Sequence, residues 1–328
     1  MSSDLHKSAI VIDGLVVSRW SRSVFEHMQR GGLTAANCTC SVWENFDGTM
    51  RNIGRFKRWL AEHADILRPV KSAADIRAAK AEGKVGIILG FQNTSGLDDL
   101  LDSLSLYKEL GVGIIQLTYN TQNLVGAGCW EEHDSGLSGF GREVVGEMNR
   151  LGIVVDLSHV GPRTSADAIR HSARPCVYSH VCPAGLFSHP RNKTDEELKA
   201  IVERGGFVGV ATFPPFLPKG ADTTLDDCVD VFEYMIGVCG EGNVGIGTDF
   251  TQDQDEAFFD WLRHDKGYAR RMVAQRGTAP MVKGFEKLAD YPRLTAAFER
   301  RGWPERRIRG VLGENWLRFL GEAWTPRP

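Results

Sequence analysis

Gly152-Ile-Val-Val-Asp-Leu-Ser-His159 and Pro175-Cys-Val-Tyr-Ser-His180 are short apolar runs, each closed by a histidine. Runs of this length, rich in β-branched residues, read as buried strands. The two imidazoles therefore stand at the ends of neighbouring strands, where neutral ring nitrogens can hold a catalytic metal. The first run of the same kind, Ile12-Asp13-Gly14-Leu15-Val16-Val17, presents apolar side chains where such a site would take further ligands.

Eight runs of this character occur, at 10–17, 33–40, 85–92, 113–120, 153–159, 176–180, 207–213 and 244–250. Each is followed by a segment with helical character or room for one. Residues 97–110 and 141–151 carry apolar side chains at helical spacing, and Thr194-Asp-Glu-Glu opens a helix with a capping-box pattern. Strands alternating with helices imply parallel pairing through right-handed crossovers. Eight units in a chain of 328 residues predict an α/β fold, a (β/α)8 TIM barrel forming a single domain over 1–328. The rival, a doubly wound open sheet, lacks a Gly-x-Gly-x-x-Gly turn after its first strand. Two long connections, at about 121–139 and 251–284, would lie on the C-terminal face as active-site loops. The tail Trp324-Thr-Pro-Arg-Pro reads as a frayed end.

The net charge is −3 with both signs interspersed, so no basic stripe offers itself to nucleic acid or an anionic membrane. A small polar substrate is the expected partner. No apolar stretch reaches membrane-spanning length and the N-terminus lacks an apolar signal core, which points to a cytoplasmic protein. Seven cysteines form no disulfide framework, and most read as small buried apolar residues.

At the strand ends the sequence presents Leu15 and Val17, Cys38 and Cys40, and Gln92. Further along come Tyr119, Asn120, His159, His180, Phe213 and Asp249. Two histidines and an aspartate suit zinc with an open coordination position for water. Asp249 has a second role open to it, as general acid/base, and a plain one, as a turn cap or arginine partner. A single histidine on an apolar run is commonly a hydrogen-bonded core residue; two at adjacent strand ends favour function.

These residues carry a resemblance. The stretch Phe140-Gly-Arg-Glu-Val-Val-Gly-Glu-Met-Asn-Arg-Leu-Gly-Ile-Val-Val-Asp-Leu-Ser-His159-Val resembles the most characteristic segment of the membrane (renal) dipeptidase family of amidohydrolase-type barrels. Val177-Tyr-Ser-His180 followed by His189-Pro-Arg191-Asn192 is similar to its next motif. Gly245-Ile-Gly-Thr-Asp249-Phe and Gly313-Glu-Asn315-Trp-Leu-Arg resemble its last-strand and C-terminal motifs. The resemblance runs from about Ile12 to Leu320. It implies two metal ligands at His159 and His180, an aspartate beside the attacking water at Asp249, and an arginine for the substrate carboxylate at Arg191. The family's binuclear zinc centre also uses a His-x-Asp pair and a bridging glutamate, which fall here on Leu15, Val17 and Gln92. A further family histidine, placed to stabilise the tetrahedral intermediate, falls on Tyr119. An amide in place of the bridging carboxylate disfavours two close cations. One zinc ion is therefore expected on His159 and His180, with Asp249, water or the Gln92 carbonyl completing its sphere; a site without metal is the alternative.

The loop after the fourth strand supplies Asn123, Cys129, Glu131 and His133 beside Tyr119 and Asn120. Of these, Asn120, Cys129 and Glu131 are the expected substrate contacts, and Trp43 and Trp130 are candidate cleft walls. Lys193 and Arg142 read as solvated charges. The leading expectation is a metal-dependent hydrolase of a dipeptide or small dipeptide-like amide with a free carboxylate, Asp249 moving the proton and Tyr119 bonding the oxyanion. A second reading has Asp249, Tyr119 and Glu131 run proton transfer, elimination or C–N hydrolysis on a modified amino acid. A third is a ligand-binding homologue without turnover. The resemblance is compatible with a homodimer.

Overall fold

A computed structural model describes residues 4–325. Nine parallel strands form: β1 (Ile12–Val16), β2 (Ala35–Ser41), β3 (Leu67–Pro69), β4 (Val85–Phe91), β5 (Val112–Gln116), β6 (Val154–Asp156), β7 (Val177–Val181), β8 (Phe207–Val210) and β9 (Val244–Ile246). β2 pairs directly with β4, and β9 returns to β1 through Asp13 and Ile246. That closure makes an eight-stranded (β/α)8 barrel of β1, β2 and β4–β9. β3 lies outside the count, pairing only with the start of β4. Three residues ending in proline gave it no strand signal in the sequence. No helix among the described residues is long and apolar enough to cross a membrane.

Six of the eight barrel strands end earlier than the apolar runs that predicted them; β2 and β7 reach one residue further. After β6 and β9 the backbone leaves the ladder for buried carboxylates. Asp156 Oδ1 accepts from the amides of Ser158 (3.0 Å) and Ser179 (3.1 Å). Asp13 Oδ1 accepts from Leu15 (3.0 Å) and Thr248 (2.9 Å). Burial pushes both carboxyls above their usual range, and these hydrogen bonds oppose the shift. Each carboxylate thus staples two adjacent strands at the level where the cavity begins.

The barrel floor is closed by the last helix, Asn315–Trp324. Trp316 packs against strand-start residues including Ile12, Val177 and Phe207, and its indole N–H donates to Ile246 O at 2.7 Å. Trp324, expected in a frayed tail, is instead buried and donates to Gly113 O at 3.0 Å; residues 326–328 of that tail lie outside the described residues. An apolar face at period 3.6 overrode the Pro-rich ending as a signal. The helix expected over 97–110 is a short 3₁₀ turn, Ser95–Leu97, followed by a helix at Ser103–Leu110. The helices at Gly139–Leu151 and Asp195–Glu203 form as expected, the latter with its Thr194–Glu197 capping box.

Candidate active site

Above the strand ends lies a cavity of about 330 Å³. His159, at the end of the β6 run, reaches its wall; His180, at 0 % exposure, stands behind it. Their Nε2 atoms are 3.0 Å apart. Behind each ring a side-chain oxygen meets Nδ1: Asn120 Oδ1 at 2.7 Å for His159, and Ser179 Oγ at 2.7 Å for His180. Ser179 gives its one proton to Asp156 Oδ2 (2.5 Å), so His180 Nδ1 must be the donor. Asn120 Oδ1 likewise takes the His159 Nδ1 proton. Burial, with Arg191 nearby, holds both imidazoles well below their usual pKa and therefore neutral. Two Nε2 lone pairs then face one another across 3.0 Å, an arrangement that calls for a cation or a shared proton between them. The spacing is close to the ~3.3 Å edge of a tetrahedral zinc site built from ~2.05 Å bonds.

The loop after β5 positions His159 from the other side. Asn120 adopts a left-handed backbone (φ 59°), which asparagine tolerates better than most residues. Its carbonyl accepts from Trp130 N (2.8 Å), and Cys129 N donates to His159 O (2.9 Å). Gly128 lets these segments touch, since a Cβ there would lie 2.1 Å from the Asn120 carbonyl carbon.

Several expected residues do meet at the cavity: Val17, Gln92, Tyr119, Asn120, Phe213 and Asp249 join His159. Tyr119 stacks on His159 at 4.2 Å between centroids, and Trp43 meets Tyr119 edge-on without reaching the cavity. Gln92 donates its amide N–H to Thr39 Oγ1 (3.0 Å), leaving its carbonyl oxygen as the group available to a ligand. Asp249 also has a left-handed backbone (φ 61°), and burial pushes its carboxyl up to about 6 against the pull of Arg191.

Other expectations need correcting. Glu131 does not line the cavity; its Oε1 accepts from Gln122 N (2.8 Å) and closes its own loop. Cys129 sits behind Asn120, its thiol 3.6 Å from Oδ1, and does not face the cavity. His133 is exposed. Lys193 is buried, its ammonium on Val160 O at 2.6 Å and over the Tyr178 ring; only Arg142 is the solvated charge expected. Arg191 lines the cavity, but its two Nη groups donate to the carbonyls of Ser158 and His180, leaving Nε–H without a partner. A symmetrical end-on fork to a carboxylate is therefore not what it offers.

His189 and Arg263, also on the cavity wall, received no role from the sequence. His189 Nδ1 accepts from Arg191 N (3.2 Å), which puts the ring proton on Nε2, and Trp130, Phe187 and Phe216 pack its ring. Its place in the His189-Pro-Arg191 motif was the available signal. Arg263 had none, lying in a loop of mixed charges and aromatics.

A family model for membrane dipeptidase matches residues 20–275 and 273–326. The chain belongs to the membrane dipeptidase family. Among relatives, an uncharacterized dipeptidase of Schizosaccharomyces pombe is 33% identical over 278 residues, covering 82% of this chain. The chain spans 61% of that relative's length. An amidohydrolase structure from Pseudomonas aeruginosa is 53% identical with a TM-score of 0.95, covering 98% of both chains. A metallo peptidase from Rhodobacter sphaeroides, solved with a phosphinate mimic of the dipeptide L-Ala-D-Ala, shares the fold at a TM-score of 0.81 and 21% identity, over 97% of this chain and 100% of that one. Membership of the membrane dipeptidase family makes the departures at Leu15, Val17 and Gln92 specific. Leu15 and Val17 are buried apolar side chains. Among the described residues no group of three or more His, Cys, Asp or Glu side chains could hold a metal. A binuclear centre does not fit these residues, whereas the paired Nε2 atoms fit two corners of a single ion.

Proposed function

We propose that the chain is a hydrolase of dipeptide-like amides with a free carboxylate, dependent on one zinc ion held by His159 and His180. The observation that carries this reading is the 3.0 Å approach of two neutral Nε2 atoms, each ring oriented by an oxygen at Nδ1. Such oxygen partners fix ligand histidines in the metal-binding tautomer. When bound, zinc supplies Lewis-acid polarisation and acidifies water. The chain's own residues do the rest. Asp249, with a carboxyl near 6, accepts the proton of the attacking water and returns it to the leaving amine. The Tyr119 hydroxyl, kept protonated by burial, donates to the oxyanion that develops on the carbonyl. Arg191 Nε–H and His189 Nε2–H are the donors for the substrate carboxylate. The apolar Val17 and Phe213 limit water at the other wall.

The test is release of free amino acids from a dipeptide panel by the protein as purified, after chelation, and after zinc is restored. Turnover should vanish on chelation, return with zinc, and be absent in His180→Ala. Turnover that survives chelation refutes zinc dependence.

The lack of a third protein ligand favours one second reading. The imidazole pair would then share a proton, and Asp249 and Tyr119 would carry metal-free proton transfer or C–N cleavage on a modified amino acid. Glu131, held in its own loop, takes no part.

A further inference from the structure

The cavity contains more buried positive charge than its own carboxylate balances. Arg191 is 1 % exposed and Arg263 8 % exposed, and both reach the cavity wall. Neither has an ion-pair partner among the described residues. Arg191 is engaged by two backbone carbonyls. Arg263 donates from Nη1 to Gly277 O (2.5 Å) and lies 5.4 Å from the Phe259 ring centroid. Its neighbour Asp260 is taken by Arg271 at 2.6 Å. Asp249 is the one carboxylate among the described residues on the wall, against two guanidinium groups.

Two guanidinium groups largely removed from water with no carboxylate in ion-pair contact are unfavourable unless a ligand supplies one. A monocarboxylate satisfies only one. The two arginines also come from different parts of the chain: Arg191 follows β7, and Arg263 belongs to the long connection after β9. They therefore address different parts of a bound molecule. Arg263 keeps Nε and Nη2 free of hydrogen bonds to the protein, which leaves a fork edge open for a carboxylate.

We propose that the substrate is a dicarboxylate: a small amide with one carboxylate held by Arg191 and a second acidic group held by Arg263, which sets specificity. This rests on the cavity being the substrate site, and it names the substrate class for that site. Neutral side chains such as Gln275 and Thr251 complete the wall without offering a competing charge.

Binding rather than turnover tests it, so that failure of hydrolysis and failure of this inference are separate results. Calorimetric titration of the purified protein would compare succinate with butyrate, glutarate with valerate, and adipate with hexanoate. At least one dicarboxylate should bind about 10- to 100-fold tighter than its monocarboxylate match, the range expected for a charge-assisted contact out of water. Arg263→Gln should bring that ratio to within about threefold, and Arg263→Lys should keep part of the preference. A melting curve for each variant controls for folding, and the wild-type ratios stand without any variant. Equal affinities in every pair, no binding of any of the six, or a preference that survives Arg263→Gln overturns the proposal.

Discussion

Arg191 Nη2 donates to the carbonyl oxygen of His180 at 2.9 Å. The residue that the family resemblance assigns to substrate is thus also a brace for the strand end that presents His180. Its other Nη holds the carbonyl of Ser158, one residue before His159. A single guanidinium ties together both histidine-bearing segments.

Arg191→Lys keeps the charge but cannot bridge both carbonyls. Leaving one buried acceptor unpaired costs about 1–3 kcal/mol. Urea unfolding should show a loss in that range, accompanied by weaker zinc binding. Unchanged stability would mean that the two carbonyl contacts contribute nothing.

Asp249→Asn separates stability from function. The Asp249 carboxyl rises from 3.8 to about 6 on folding, so between these values the folded chain holds more protons than the unfolded one. Stability from this group is therefore present at low pH and lost as pH rises through 4 to 6. Two pKa units correspond to about 3 kcal/mol. In chelator-treated protein at pH 7–8, Asp249→Asn should be more stable than wild type by up to that amount and melt higher, while turnover by the zinc-loaded variant is crippled. A variant that melts lower at pH 8 contradicts the burial argument.

Gly128→Ala probes the lacing of the loop to the strand. The added methyl would meet the Asn120 carbonyl at 2.1–2.3 Å, and overpacking of this kind costs about 1–3 kcal/mol. Because Asn120 orients His159, the expected result is lower stability together with lower zinc affinity. Normal zinc affinity in a destabilised variant would show that Asn120 is not needed to aim the ring.

Restoring the missing half of the centre is a gain-of-function test. Leu15→His, Val17→Asp and Gln92→Glu together place imidazole and carboxylate groups where the family carries them. The metal-to-protein ratio of the triple variant should rise from one to two, at a cost in metal-free stability from burying charge at sites now 1–6 % exposed. A ratio that stays at one would show that the backbone there does not present the ligand geometry.

The barrel was legible because its eight strands are continuous apolar runs buried on both faces, and because His159 and His180 close two of them. Strand ends were less legible. Where Asp13 and Asp156 capture amides, the regular ladder is interrupted although the apolar pattern continues. Within the site, Tyr119 and Asp249, each three residues beyond a strand, still reach the cavity that their place at the end of an apolar run suggested. Glu131 and Cys129 could not be placed in this way, since a loop's polar groups turn inward or outward according to contacts such as Gln122 N with Glu131. Lys193 shows the same limit: nothing local distinguishes a solvated lysine from one buried over Tyr178. Arg263 belongs to the cavity only because a long connection folds back over it.

The proposed chemistry depends most on a single ion at His159 and His180. Elemental analysis combined with anomalous diffraction, on protein purified without added chelator, measures it directly. The predicted result is one zinc per chain, lost in His159→Ala and in His180→Ala, with the anomalous peak between the two Nε2 atoms. Two ions per chain, none, or a single ion elsewhere would contradict it.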